Sequence, residues 1–376
     1  MTYFDHSATT PVAEEVFESM KPYLSTCFYN ASSLYSGGKE AASAIEKARQ
    51  SVADLINADS CEVVFTSGGT EADNTAIIST AINEKEKGRN KIVVSSIEHH
   101  AVLDSCAYLN KLGFEIEYLP VDRYGRVDIE DIKKAVDDKT ALLSVMYVNN
   151  EIGSIQNVES ACAIAHGKGA LFHTDCVQAL TNTKVDFHAM GADLMSISSH
   201  KIYGPKGCGA LIIKKGTDFH PFMHGGQQES GMRGGTENVA CIAGFGKAAE
   251  LIKESLSTDV DSMLRHKKAL IELLDADDTL INSPPDISSP SILNVAFKDV
   301  EAEGMLFFLG RDGISVSMGS ACNSKSVEPS HVINAIKLPE EYRRGCIRIS
   351  FGHGQSDEDI NLLAKKLIKY KNQLKY

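Results

Sequence analysis

The sequence predicts an α/β fold built around a largely parallel sheet. Three observations lead to that expectation. Short apolar runs recur along the first two thirds of the chain: Glu62-Val63-Val64-Phe65, Lys91-Ile92-Val93-Val94, Ala141 to Met146, Ala170-Leu171-Phe172-His173, Leu194-Met195-Ser196-Ile197 and Ala210-Leu211-Ile212-Ile213. Longer amphipathic stretches separate most of them, as at Asp128 to Val136 and Val158 to His166, giving the alternation of strands and crossover helices. Clusters of polar residues come just after the runs, and a sheet of this kind binds its ligands beyond the carboxyl ends of its strands.

The last third reads differently. A helical pattern from about Val239 to Glu254 is followed by the polar stretch Ser255 to Asp261, a composition that often joins domains. Beyond it the pattern predicts a helix over Asp261 to Leu274, strands near Ser291 to Phe297 and Cys346 to Phe351, and a closing helix. Ser356 and Asp359 approximate a capping box for that helix, whose Ile360, Leu363, Leu367 and Ile368 form one apolar face.

Bulk properties exclude several functions. With 376 residues the chain has core enough for a large domain and a smaller one. Its formal charge of -12 argues against direct binding to nucleic acid or to anionic membranes. No stretch approaches the ~20 apolar residues of a membrane span, and Met1 leads straight into Tyr3-Phe4-Asp5 without a leader, so a cytoplasmic protein is expected. The nine cysteines are scattered, odd in number and never form Cys-x-x-Cys, which disfavours disulfides and structural zinc.

Six features could bear chemistry. Lys201, in Ser196 to Gly207, lies between an apolar segment and a Gly/Pro turn; an imine-forming lysine needs such a fixed, partly buried setting, although a lone lysine is more often a solvated surface charge. Thr66 to Asn74, with its Gly68-Gly69 turn, follows a strand and opens a helix, so its N–H groups suit a phosphate, and the hydroxyls of Thr70 and Ser198 add donors. Asp175 ends an apolar run and needs a cation, either a pyridinium nitrogen or a structural partner. His99 and His100 begin a helix and point to different faces, so one ring could stack on a flat cofactor and no shared metal is expected. Cys322 sits in the small, polar run Val316 to Ser326, a loop composition in which an exposed thiol is kept for its reactivity. Arg348, within an apolar strand, calls for a bidentate anion, whether a substrate carboxylate or an internal acid.

These segments, in this order, resemble the pyridoxal-phosphate cysteine desulfurases of the class V aminotransferase superfamily. The matching stretches are Tyr3 to Pro11, Thr66 to Asn74, Glu98 to Leu103, Val148 to Gly153, His173 to Gln178, Ser198 to Gly207, Arg233 to Asn238 and Gly319 to Cys322. The resemblance implies the aspartate aminotransferase-like fold of type I. It divides the chain into a large cofactor-binding domain, 13–256, and a smaller α+β domain of 1–12 and 257–376 bearing a cysteine loop at about 317–328.

Residue by residue, the resemblance makes Lys201 the Schiff-base lysine, Asp175 the partner of the pyridine nitrogen and His99 the stacked ring and nearby base. Asn150 and Gln178 would meet the cofactor's phenolic side, and Asn150 with Arg348 would hold the substrate carboxylate. Gly69, Thr70, Ser198 and His200 would bind the phosphate of pyridoxal 5'-phosphate. Thr236 would reach in from a second subunit, which implies a homodimer. The implied reaction takes L-cysteine to L-alanine: Lys201 removes the Cα proton and Cys322 receives the sulfur as a persulfide. The small, polar cysteine loop resembles the subgroup that supplies iron-sulfur scaffolds and tRNA thiolation. A selenocysteine lyase, a class V aminotransferase or an inactive sulfur-relay partner are the neighbouring readings. The sequence departs from the family's usual Asn at His6, its Pro at Ala31, its His at Tyr35 and its Thr-rich turn at Gly354-Gln355-Ser356; these departures bear on pocket detail.

Overall fold

A computed structural model describes residues 2–274, 276–319 and 329–375. The chain begins with a short strand, β1 (Thr2–Tyr3), and two helices, α1 (Glu14–Ser25) and α2 (Ser36–Ile56). Seven strands then build the main sheet: β2 (Val63–Thr66), β3 (Lys91–Ser95), β4 (Glu115–Leu119), β5 (Thr140–Ser144), β6 (Leu171–Asp175), β7 (Leu194–Ser198) and β8 (Gly209–Ile213), in the order β2-β8-β7-β6-β5-β3-β4. Strands β4, β3, β5, β6 and β7 are mutually parallel, and β8 runs antiparallel to both β2 and β7.

All six apolar runs are strands of this sheet. Five of its strands are buried along their whole length, because helices cover both faces, and this is why they read as continuous apolar runs. The covering helices are α3 (Gly69–Glu86), α4 (His100–Lys111), α5 (Ile129–Ala135), α6 (Val158–Gly167) and the single turn α7 (Phe187–Met190). The sequence reading did not name β4. It is an edge strand with Glu115 and Tyr118 exposed, which gives it a mixed composition, whereas β2 at the opposite edge is buried throughout.

The expected break at Ser255 to Asp261 is absent. Instead one helix of 36 residues, α8 (Val239–Leu274), runs through it. That polar stretch contains no Gly or Pro, and both flanking halves are anchored: Ile242, Phe245 and Ile252 in the core of the main sheet, Met263, Leu270 and Leu274 in a second core. Packing at both ends outweighs a locally polar composition.

The second core surrounds an antiparallel sheet of β9 (Thr279–Ile281), β10 (Ile292–Phe297) and β12 (Cys346–Ser350), in the order β12-β10-β9, while β11 (Ile314–Ser315) pairs with β1. Helices α9 (Ala302–Arg311), α10 (His331–Ala335), α11 (Glu340–Arg343) and α12 (Asp357–Leu374) complete it. The capping box of α12 is present: Asp359 N–H donates to Ser356 Oγ at 3.2 Å and Ser356 N–H to Asp359 Oδ2 at 3.0 Å. Phe4, from the N-terminal segment, packs into this core. Among the described residues no helix is long and apolar enough to cross a membrane.

Candidate active site

A cleft of about 290 Å³ opens beyond the carboxyl ends of β3, β5, β6 and β7, at the place where the sheet's topology predicts a ligand. It gathers Gly69, Thr70, His99, Asn150 and Asp175, and with them Gln178, Ser198, His200, Lys201 and Arg348. Thr236 is exposed and does not line it. Cys322 lies outside the described residues.

One end of the cleft is the start of α3. Its N-cap, Gly68, has φ +150 and no capping side chain, so the N–H groups of the first turn are left for a ligand. The glycines are sterically required: a Cβ on Gly209 would lie 2.7 Å from Gly68 Cα, and one on Gly69 would lie 2.8 Å from Val177 Cγ2. An acid in this turn would repel an anion, but Glu71 is held by Arg233, whose Nε and Nη2 donate to its two oxygens at 2.9 and 3.2 Å. That pair leaves the helix end electropositive.

Asp175 ends β6 nearly fully buried, with Oδ1 accepting from Val177 N–H at 2.8 Å. Burial pushes its carboxyl up to about 6, against the opposing effects of that hydrogen bond and of Lys201. Asp73, which the sequence reading missed, also lines the cleft and is buried. Its carboxyl stands well above the usual range, first through burial and then through the charge of Asp175. The available signal was its place beside Ala72 and Ala76 on the inward face of α3.

The two histidines separate as expected. His99 caps α4, its Nδ1 accepting from Ala101 N–H at 3.1 Å, so the ring proton sits on Nε2. Burial, and then Lys201, lower its pKa to about 4, so the ring is neutral at pH 7. His100 turns away and packs against His331, ring centroids 4.8 Å apart. His200 is likewise lowered to about 4 by burial and then by Lys201 and Lys206, with Nδ1 3.1 Å from Thr9 Oγ1.

Lys201 follows β7, and its ammonium donates to the backbone carbonyls of Ser7 and Ala8, at 3.0 Å for Ala8. The N-terminal segment therefore passes directly beside the lysine. Arg348 is almost wholly buried: Nη1 donates to Asn150 O at 2.9 Å and Nη2 to Asp5 Oδ1 at 2.7 Å. The internal acid is thus real, and the guanidinium also reaches the cleft. The described buried thiols, Cys106, Cys162, Cys176, Cys208 and Cys346, are all raised by burial, as inert core cysteines are.

The model of the family described as Aminotransferase class-V matches residues 2–363. The chain belongs to that family. Among its relatives, a cysteine desulfurase IscS of Dictyoglomus turgidum is 46% identical over 361 residues, covering 96% of this chain and 91% of the relative. A solved NifS-like protein superposes with a TM-score of 0.93 at 35% identity, covering 99% of this chain and 100% of that one. A structure described as SspA in complex with cysteine gives a TM-score of 0.84 at 35% identity, over 94% of this chain and 99% of that one. Members of this class-V group depend on pyridoxal 5'-phosphate, and this chain has their fold.

The cleft fits that cofactor. Ser198 Oγ and Gln178 Oε1 are buried polar atoms with no hydrogen-bond partner among the described residues, both in the cleft wall. Such atoms are costly unless a ligand satisfies them. A buried carboxylate awaiting a cation, an uncapped helix end awaiting an anion and a neutral imidazole complete a donor set suited to a phosphorylated pyridine.

Proposed function

We propose that this protein is a cysteine desulfurase that converts L-cysteine to L-alanine and transfers the sulfur to Cys322 as a persulfide. The observation that best supports the reading is the convergence of Lys201, Asp175 and Arg348 on one cleft: an amine, a buried acid and a guanidinium, each held by protein contacts.

Bound pyridoxal 5'-phosphate would supply an electron sink for the pair left when Cα loses its proton. Asp175 would face its ring nitrogen, Asn150 and Gln178 its phenolic oxygen, and Gly69, Thr70, Ser198 and His200 its phosphate. Neutral His99 would cover the ring. Arg348 would orient the substrate carboxylate, which places Cα within reach of Lys201, and Lys201 would take the Cα proton at Nζ. Cys322 would attack the substrate sulfur as a thiolate; an unperturbed thiol of pKa ~8.5 is only slightly ionised at pH 7, and for His99 to serve as the neighbouring base its Nδ1 would have to leave the Ala101 N–H that now occupies it.

The same reading assigns residues 13–256 to a large domain and 1–12 with 257–376 to a smaller one. It makes the active form a homodimer in which Thr236 of each subunit completes the partner site; Thr236 is exposed and does not line its own cleft, which supports the reading. A cytoplasmic enzyme handing its persulfide to an iron-sulfur scaffold or a tRNA-thiolation acceptor follows from the same analogy. The test is incubation of the purified, cofactor-loaded protein with L-cysteine and a reductant. Equal yields of alanine and sulfide are expected with the reductant, and a persulfide on Cys322 by mass spectrometry when the reductant is left out. Absence of both products overturns the reading, and activity toward L-cysteine that survives Cys322→Ala points to a lyase without an enzyme thiolate.

A further inference from the structure

A second, smaller cavity shares Lys201 and Gln178 with the cleft. Its volume is about 20 Å³, room for a single water. His6, Tyr203, Asp259 and His353 line it together with the hydroxyl residues Thr10, Thr181 and Ser291, and Met263, Phe351 and Ile252 form part of its apolar wall. His6 is one of the positions where the chain departs from the family's usual residue, and the reaction above gives it no task.

The chemistry of the wall points to a bound water. The His6 ring hydrogen-bonds the Tyr3 carbonyl, and burial lowers its pKa to about 4, so the imidazole is neutral and donates its one proton there. Its Nδ1 is left a buried lone pair without a partner among the described residues. Neighbouring groups fix the ring in place: Tyr3 lies edge-on at 5.0 Å and Tyr203 at 6.2 Å. Tyr203 itself is held at φ +63, a left-handed conformation that a tyrosine adopts only when its surroundings impose it. Its N–H donates to Thr10 Oγ1 at 2.8 Å, and its hydroxyl accepts from His353 N–H at 2.7 Å, which leaves the hydroxyl proton to donate. His353 is exposed and its Nδ1 lies 3.0 Å from Asp259 Oδ1. The exposed His353 with its partner Asp259, the Tyr203 hydroxyl and Lys201 thus all line this one cavity.

We propose that this cavity holds one water molecule bound to His6 Nδ1, and that through this water and the Tyr203 hydroxyl Lys201 exchanges its proton with solvent. The proposal rests on Lys201 being the base that takes the Cα proton. Each passage replaces one proton on Nζ by one from solvent, so charge and electrons are unchanged. The route avoids the substrate side of the cleft, so the exchange proceeds while substrate is bound. His6 is a positioning residue in this scheme: it orients the water and forms no bond to substrate.

Two measurements test it. A crystal structure of the cofactor-free protein at a resolution that shows waters is expected to place one within hydrogen-bond distance of His6 Nδ1; a dry cavity overturns the proposal. Turnover of L-cysteine deuterated at Cα is expected to give alanine with almost none of the label, whereas an Nζ closed to solvent would return up to about a third of it, one of its three hydrogens. In His6→Phe, which fills the cavity, and in the milder Tyr203→Phe, retention of deuterium should rise several-fold. Retention near a third in the unaltered protein, the level of an Nζ closed to solvent, or unchanged retention in both variants, overturns the exchange route while leaving the desulfurase reading intact. Loss of the label in Lys201→Ala instead removes Lys201 as the base, and both readings fall together.

Discussion

Arg348 and Asp5 are 343 positions apart in sequence and joined by an ion pair of 2.7 Å beside the cleft. The contact exists because β12 lies against the N-terminal segment, with Asp5 bridged to Ser350 and Ser350 N–H donating to the Phe4 carbonyl. Asp5 takes one Nη of the guanidinium and the Asn150 carbonyl the other, so its plane is set before any substrate arrives. A lysine keeps the charge and loses the fork. Arg348→Lys should therefore lower kcat/KM for L-cysteine roughly 10- to 150-fold, the equivalent of a charge-assisted hydrogen bond of about 1.5–3 kcal/mol. Cofactor absorbance should be unchanged, and its loss would show that the arginine serves the fold rather than the substrate.

Gly69 sits where strand, helix and cleft meet. A methyl group there would come within 2.8 Å of Val177 Cγ2, at the residue whose N–H bonds Asp175. Gly69→Ala is expected to cost about 1–3 kcal/mol through overpacking. It should also weaken pyridoxal phosphate binding by roughly tenfold, equivalent to about 1.4 kcal/mol. Thermal melting and a spectroscopic titration read the two effects separately; unchanged affinity would remove Gly69 from the binding site.

Arg233 tests the phosphate end. Its two hydrogen bonds neutralise Glu71 in the first turn of α3. With Arg233→Met that carboxylate is released beside the anion site, and the repulsion falls on the phosphate alone. Affinity for pyridoxal 5'-phosphate should drop about tenfold, the scale of a lost charge-assisted contact, while the affinity for pyridoxal, which has no phosphate, stays within about twofold. Equal losses for the two ligands would place the phosphate elsewhere.

The division between what the sequence disclosed and what it concealed follows the range of the forces. Lys201, Asp175 and Arg348 were legible because each is a charged group next to an apolar run, and the strand that buries it is encoded by its immediate neighbours. Asp5, the carbonyls of Ser7 and Ala8, and Asp73 were not singled out. Their roles arise from contacts across the chain, and a backbone carbonyl leaves no trace in residue type. The same holds for α8: Ser255 to Asp261 is locally a linker, and only the burial of Phe245 on one side and Leu270 on the other makes it helix. Tyr203 at positive φ is a conformational cost that no local pattern announces.

Glu98 links the site to a pH dependence of folding. It is fully buried between β3 and α4, with Oε1 accepting from Met146 N–H at 2.7 Å and from the Ser95 hydroxyl, and Oε2 without a partner among the described residues. Burial raises its carboxyl from 4.5 to about 8. Below pH 4.5 both folded and unfolded chains hold the proton and its contribution is fully present. As pH rises from there to about 8 the unfolded chain gives the proton up and the folded one keeps it. Stability is therefore lost across that window, by about 1.4 kcal/mol per pH unit for one proton. Other groups oppose this. His99 and His173, neutral when folded, favour the folded state as pH rises toward 6.5, and Lys267, lowered to about 7 by burial, does so above 7. Their contributions cancel when the protein is compared with Glu98→Gln, which keeps the shape and the acceptor but does not titrate. In denaturant unfolding of the cofactor-free forms, the variant should gain on the unaltered protein as pH rises from 4.5 to 8, and the difference should level off above 8. A difference that is flat with pH would mean that Glu98 is ionised in the folded protein throughout that range.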